Sequence, residues 1–432
     1  MKRIISSIVP LLFLPLISLC QQHWTLDYCI EEAFSNNYSL KITALDASAA
    51  EVNLKQSRGA YQPGISFSNS HNYANTPFPA NGTEQSKNAY SGNVGLNLNW
   101  TIWNGSRQPQ IEQARLNLQR AGLLIDELKN SLREEVTQIY TQILYATENV
   151  GVQQALAQSG EALRAQGEER LRLGAINQST YQQLVAQCAS DTVNIVQADA
   201  DLQNFKLNLL QLLEHDMNEK FSLADIDNVD LIALQQIPNS TEIFNDAVTH
   251  RPEIQAAKLD IQSSEYDLKI AKAGYMPTLS LTAGTGTGWR TGTDFTFGEQ
   301  MKNGWSNTAG INISVPIWNG RQTKSAVEHS KIQQQQAELN YDNMLETLRH
   351  AIETLWLNAY TAQQQYKAND AKLKAAQMAY ELIEQQFNLG QKTATDLLQQ
   401  RATLFTAQQQ KLQAKYNAYY AVIMLHYYAQ GL

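Results

Sequence analysis

The sequence predicts a mixed fold, a membrane β-barrel joined to a long α-helical coiled-coil barrel, written twice in tandem along one chain. Three observations carry that prediction. The first is an internal repeat. Gly59-Ala60-Tyr61-Gln62-Pro63 recurs as Ala273-Gly274-Tyr275-Met276-Pro277, Ile102-Trp103-Asn104-Gly105 as Ile317-Trp318-Asn319-Gly320, and Leu173-Gly174 as Leu389-Gly390, at offsets of 214, 215 and 216. The second is alternation. Val94, Leu96, Leu98, Trp100 and Ile102 are interleaved with Asn93, Gly95, Asn97, Asn99 and Thr101, and Ile311, Ile313, Val315 and Ile317 with Gly310, Asn312, Ser314 and Pro316. A period of two sustained over about ten residues suits a transmembrane strand, whereas soluble strands average about five or six. The third is a heptad seam, through Ile111, Leu118, Ile125, Leu132 and Ile139, and in alternating steps from Tyr341 through Leu345, Leu348, Ile352 and Leu355 to Ala359.

Composition agrees. Only 17% of the 432 residues are charged, against about a quarter in soluble domains, and there are 10 prolines. Scarce proline favours long helices, and the low charge argues against intrinsic disorder. The net charge of −8 comes with no Lys/Arg block, so no nucleic-acid partner is expected, since such binding rests on phosphate neutralisation.

Taken in order, Lys2 and Arg3 precede an apolar run ending at Leu19, and Gln21-Gln22 follow; residues 1–20 read as a secretory signal peptide. Cys20 leaves two readings, removal with the leader or lipidation as the first mature residue. Cys29 and Cys188 then remain and read as two free thiols. The first repeat covers 24–215: a helix over 26–58 ended by Tyr-x-Pro, strands over about 64–103, and a helix hairpin over 107–215. Residues 216–241 form a linker, and the second repeat covers 242–429, with strands over about 278–318 and a hairpin over 321–429. Trp100, Trp103, Trp289, Trp305 and Trp318 fall in or beside the strands, as membrane-interface girdles require. Loops at 77–88 and 284–307, rich in small polar residues, read as external. From 108 to 173 a helix of some 65 residues makes a rod of about 100 Å, and Gly174 and Gly390 end the two rods as left-handed caps.

Four strands cannot close a barrel in lipid, where an open edge leaves backbone groups unsatisfied. Two copies give eight strands with an interior filled by side chains; three give twelve and an open lumen. Strand counting thus predicts a homotrimeric conduit.

The duplicated helix–strand–strand–helix–helix plan, with Tyr-x-Pro before the first strand of each half, Pro316-Ile317-Trp318-Asn319-Gly320 after the last and Phe387-Asn388-Leu389-Gly390 at the turn, resembles the TolC-like outer-membrane efflux proteins. The opening Trp24-Thr25-Leu26-x-x-Cys29-Ile30 and Asn36-Asn37 are similar to members from Bacteroidetes-type bacteria. The resemblance implies a trimeric twelve-stranded barrel in outer-membrane lipid and a long periplasmic tunnel. It also implies two kinds of partner: a periplasmic adaptor (membrane fusion) protein, and an inner-membrane pump or secretion ATPase that selects the cargo. Leu173, Gly174, Leu389 and Gly390 would be the tip that meets the adaptor. The family's periplasmic aperture pattern places an acidic residue six positions after the Gly, often a second three later and a basic residue between. Here these are Asp396, the uncharged Gln399 and Lys392, with Thr180 and Gln183 as first-repeat counterparts. Only Asp396 therefore carries over as a cation-attracting ring, set against the plain role of a carboxylate starting the return helix. Thr101 stands where the family expects proline.

Two rival classes are weaker. For an enzyme, Gly284-Thr285-Gly286-Thr287-Gly288 lacks the following lysine and helix of a phosphate loop, and the seven histidines show no metal spacing. Glu134-Glu135 and Glu168-Glu169 are adjacent on helices and diverge. No catalytic group, metal or cofactor is expected. An exported structural coiled-coil protein or adhesin explains the heptads and leaves the duplicated strands and their tryptophans unexplained.

Overall fold

A computed structural model describes residues 23–75, 88–224, 226 and 228–430; the leader with Cys20 and nearly all of loop 77–88 lie outside the described residues. The chain opens with β1 (His23–Trp24), α1 (Leu26–Asn36), α2 (Tyr38–Gly59), β2 (Gly64–Asn75) and β3 (Asn88–Asn104). The hairpin helices α3 (Arg107–Arg172) and α4 (Gln178–Leu212) follow, then β4 (Ser222–Leu223) and α5 (Val229–Ala233). The second half holds α6 (Ser240–His250), α7 (Pro252–Ala273), β5 (Thr278–Arg290), α8 (Phe297–Asn303), β6 (Ser306–Ser314), α9 (Gln322–Asn388) and α10 (Ala394–Gln430).

Several expectations need correction, among them the loop over 284–307, which holds the end of β5 and all of α8. The helix expected over 26–58 is two helices, because the chain turns to extended geometry at Asn37 (φ −57°, ψ 127°), a residue with weak helical preference. The counterpart helix expected over about 242–272 breaks in the same way at Arg251 (φ −66°, ψ 125°), where Pro252 forces the residue before it out of the helical region. The last strand stops at Ser314, so Val315 and Ile317 leave the ladder and stand exposed.

The chain divides into two compact units. One comprises residues up to Asn37, Leu132–Gln236 and Ala359–Ile423. Trp24 is its anchor: only 1% exposed, it stacks on Phe221 at 4.3 Å between centroids. The Tyr140 hydroxyl reaches the Trp24 and Ala224 carbonyls at 3.1 and 2.9 Å, and β1 pairs in parallel with β4. Tyr366 donates to Asp230, and the Gln363 amide donates to the Ala233 and Gln235 carbonyls, so α9 clasps the linker. Burial beside Asp230 pushes the Tyr366 phenol upward.

The other unit comprises Tyr38–Ser131, Ile237–Asn358 and the chain from Met424. It holds a four-stranded antiparallel sheet in the order β2-β3-β5-β6, flanked by ion pairs and amides between α3 and α7 such as Arg120–Asp260 at 2.6 Å and Gln113–Asp267 at 2.6 Å. Register puts Ile65, Leu98 and Ala283 in one row, Phe67 and Leu96 in the next, and Trp100, Leu281 and Ile311 in a third, all on one face. The opposite face carries Ser66, Asn97, Gly284 and Thr308 in one row and Asn99, Thr282 and Gly310 in another. A bulge between Thr101 and Trp103 corrects the predicted alternation: Trp103, opposite Leu279, joins the apolar face in place of Ile102. Among the described strand residues of this sheet the formal charge is confined to Arg290.

Candidate aperture and membrane face

The two hairpin turns are built alike. Gly174 (φ +69°) and Gly390 (φ +75°) take the left-handed conformation that other residues adopt only with strain. The Ala175 amide bonds the Arg170 carbonyl and the Gly174 amide that of Leu171; Gln391 to Gln386 and Gly390 to Phe387 repeat the pattern. Both ends are thus Schellman caps that satisfy the last carbonyls of α3 and α9. Leu173 (70% exposed) and Leu389 (73%) project from these turns into solvent.

The helices that leave the turns start differently. The Asn177 side chain accepts from the Thr180 amide at 2.8 Å and caps α4. At the equivalent place, Thr393 and Asp396 form a reciprocal box on α10. The Thr393 amide and hydroxyl donate to the Asp396 carboxylate (3.0 and 2.8 Å), and the Asp396 amide donates to the Thr393 hydroxyl (3.2 Å). These Thr393 hydrogen bonds, with a smaller contribution from Lys392, hold the Asp396 carboxyl below the usual aspartate range. Asp396 therefore serves as a helix-starting carboxylate. Gln183 and Gln399 are exposed, as is Lys392, while Thr180 is half-buried. Thr395 reaches Gln183 at 3.4 Å, so the two hairpins meet at this level.

Further contacts tie the hairpins. Arg170 of α3 donates to the Phe387 carbonyl (3.2 Å) and to Asn388 (3.1 Å) and lies 4.3 Å over the Phe387 ring. Leu163, Leu184, Phe387, Ala394 and Leu397 form a small apolar core. Beside them sits a pair that sequence reasoning missed. Asp191 on α4 (side chain 0% exposed) and Arg401 on α10 (5%) meet at 2.8 Å. Asp191 also accepts from Gln187 at 2.9 Å, and Arg401 donates to the Leu156 carbonyl of α3. Gly160 leaves room for the pair: a Cβ there would stand 2.4 Å from the Asp191 carboxylate. The signal was present in the heptads. Leu184, Asp191 and Ala198 are seven apart on α4, and Ala394, Leu397 and Arg401 follow the three–four step on α10. A charge of opposite sign on each of two apolar seams is a buried pair in waiting.

On the sheet, Trp100 and Trp103 lie toward the α3 end, where the Trp100 indole donates to the Tyr61 carbonyl at 2.8 Å. Trp289 lies toward the loop end, packed with Tyr90 (5.2 Å) and His71 (6.3 Å). Trp305 (59% exposed) precedes β6, and Trp318 (83%) lies beyond its end. The ten register steps between Trp289 and Leu279, the partner of Trp103, span roughly 34 Å along the strand, or about 24–28 Å of height at the usual tilt. That matches the hydrocarbon band of an outer-membrane barrel. Among the described residues no helix is long and apolar enough to cross a membrane.

Comparison with known proteins bears on both regions. The family model described as outer membrane efflux protein matches residues 29–215 and 243–428, one segment in each half. The outer membrane efflux protein BepC of Brucella suis is 24% identical over 401 residues, covering 91% of this chain and 82% of its own. The outer membrane protein TolC of Escherichia coli is 23% identical over 433 residues, covering 96% and 84%. Among solved structures the fold is similar to CusC, with a TM-score of 0.80 at 19% identity over 94% of this chain and 91% of that one. It is also similar to Vibrio cholerae VceC, with a TM-score of 0.76 at 17% identity over 93% and 95%.

Proposed function

The chain belongs to the outer membrane efflux protein family, and we propose that three copies assemble into one exit duct, a twelve-stranded barrel in the outer membrane continued by a tunnel of helical hairpins. Outer-membrane efflux is the function that membership assigns, and it separates this chain from an exported scaffold or adhesin. The observation that carries the assembly is the sheet itself. It has one apolar face and one polar face, on which Arg290 at the loop end is the charged residue among the described strand residues, and β2 and β6 form its two edges. A free edge in hydrocarbon costs several kcal/mol for each unsatisfied group, so the edges of one copy pair with those of the next, and closure by three leaves a polar lumen.

The division of the chain follows: residues 1–20 as the leader, 24–215 and 242–429 as the repeats, and 216–241 as the linker between them. Leu173, Gly174, Leu389 and Gly390 present the hairpin tips to a periplasmic adaptor, which joins the duct to an inner-membrane pump or secretion ATPase. The duct conducts passively, and the sheet face that would line its barrel carries mainly Asn, Ser, Thr and Gly. Around the threefold axis Asp396 recurs as three carboxylates at the narrow end and attracts cations there. Lys392 and Gln399 flank it, with Thr180 and Gln183 from the first repeat. Opening is an outward movement of the hairpins driven by adaptor contacts. The test is conductance of the purified protein in planar lipid bilayers. Discrete ion-conducting steps are expected; a detergent-stable protein that inserts without conducting would remove the duct.

A further inference from the structure

The apolar face continues past the strands. Sequence reasoning assigns the β5–β6 connection to an external polar loop, yet it holds α8, and that helix is fastened. Thr296 and Glu299 form a capping box. The Arg290 amide donates to the Gln300 side chain (2.8 Å), and the Thr287 hydroxyl donates to the Met301 carbonyl (2.8 Å). Thr287 and Trp289 stand opposite Val94 and Gly92, on the apolar face. Phe297 meets Trp289 edge-on at 5.6 Å. Trp289 in turn lies over Gly92, where a Cβ would come within 2.7 Å of the indole nitrogen. Position 92 thus stays open for the ring that seats the helix. The connection exposes Phe295 (63%), Phe297 (60%) and Trp305 (59%).

We propose that α8 is an in-plane membrane anchor, with Phe295, Phe297 and Trp305 set in the boundary between headgroups and acyl chains of the outer leaflet. The occupant is membrane lipid because the ridge is continuous with the sheet face that lipid covers; the proposal rests on that reading. Tryptophan settles at this depth, and a helix lying in the interface buries Trp and Phe side chains from its apolar side there. Fastened there, the β5–β6 connection is held to the side of the lumen mouth.

Bimane labels on Phe297→Cys, Leu96→Cys and Gln391→Cys, each in a Cys188→Ser background, test this in proteoliposomes carrying nitroxide phospholipids; Phe295→Cys serves if the Phe297 variant fails to assemble. The label on α8 is expected to be quenched about twofold more by a nitroxide near the headgroup than by one near the chain end. Leu96 should show the reverse preference, and Gln391 should be quenched only by aqueous iodide. Quenching of Leu96 by lipid while the α8 label answers only to iodide would overturn the anchor and leave the barrel intact. Failure of both to sense lipid would overturn the membrane reading and the anchor with it.

Discussion

The two hairpin tips share a backbone and differ in charge. Gly174 and Gly390 make the same left-handed turn with the same pair of amide-to-carbonyl bonds, yet α4 starts on a neutral asparagine and α10 on a threonine–aspartate box. The buried pair is equally one-sided. The repeat equivalents of Asp191 and Arg401 are Ala407 and Val185, so neither half could hold the pair alone. Duplication preserved what the turn needs sterically and let the charges diverge. The charged helix cap therefore belongs to the second hairpin alone, and the clasp between hairpins exists because the halves are unequal.

The largest effect that sharpens this comparison is at the clasp. Arg401→Met leaves Asp191 buried without its partner, and loss of about 3–5 kcal/mol is expected. Asp191→Leu combined with Arg401→Met should recover most of it. Denaturant unfolding of the hairpin region measures both, and a double variant no better than the single would show that the pair is not coupled.

Next come the turns. Gly174→Val and Gly390→Val each force a β-branched residue into left-handed geometry, at about 1–2 kcal/mol. If the turns are equivalent the two costs agree, and efflux falls while membrane insertion persists. Unimpaired resistance to effluxed compounds in a strain carrying both would break the equivalence and the tip's role together.

The caps rank third. Asn177→Ala and Thr393→Ala should each cost about 1 kcal/mol at their own helix start, read by hydrogen exchange in the first turns of α4 and α10. Only the second cap depends on pH. The folded Asp396 carboxyl titrates below its ordinary value because Thr393 donates to it. Its contribution is therefore complete above about pH 4 and is lost as pH falls through the depressed value. Acidification should fray the start of α10 before that of α4, and Asp396→Asn should abolish the difference. In single-channel recordings at low ionic strength, where the field is least screened, the same change should weaken block by trivalent cations. Equal block in both proteins would leave Asp396 as a capping residue alone.

Much of this was legible in the sequence. A glycine after a heptad run has one common reason to recur, and both turns use it. Alternation located the sheet because side-chain period is a local property. The bulge that exchanges Ile102 for Trp103 was not legible, since it depends on register with β5. The break at Arg251 was readable from Pro252, while that at Asn37 has no proline to announce it. α8 has seven residues, too few to show a period, though its Thr296-x-x-Glu299 box stands in plain text. Asp191 and Arg401 sat on apolar seams, but pairing them required knowing which helices touch.

The proposed assembly rests on the sheet, because two strands from each half leave both of its edges, β2 and β6, open. Native mass spectrometry of the detergent-extracted protein tests it most directly. Three chains of 48.4 kDa predict a species slightly below about 145 kDa once the leader is removed. A monomer or dimer as the only stable species would contradict the closed twelve-stranded barrel.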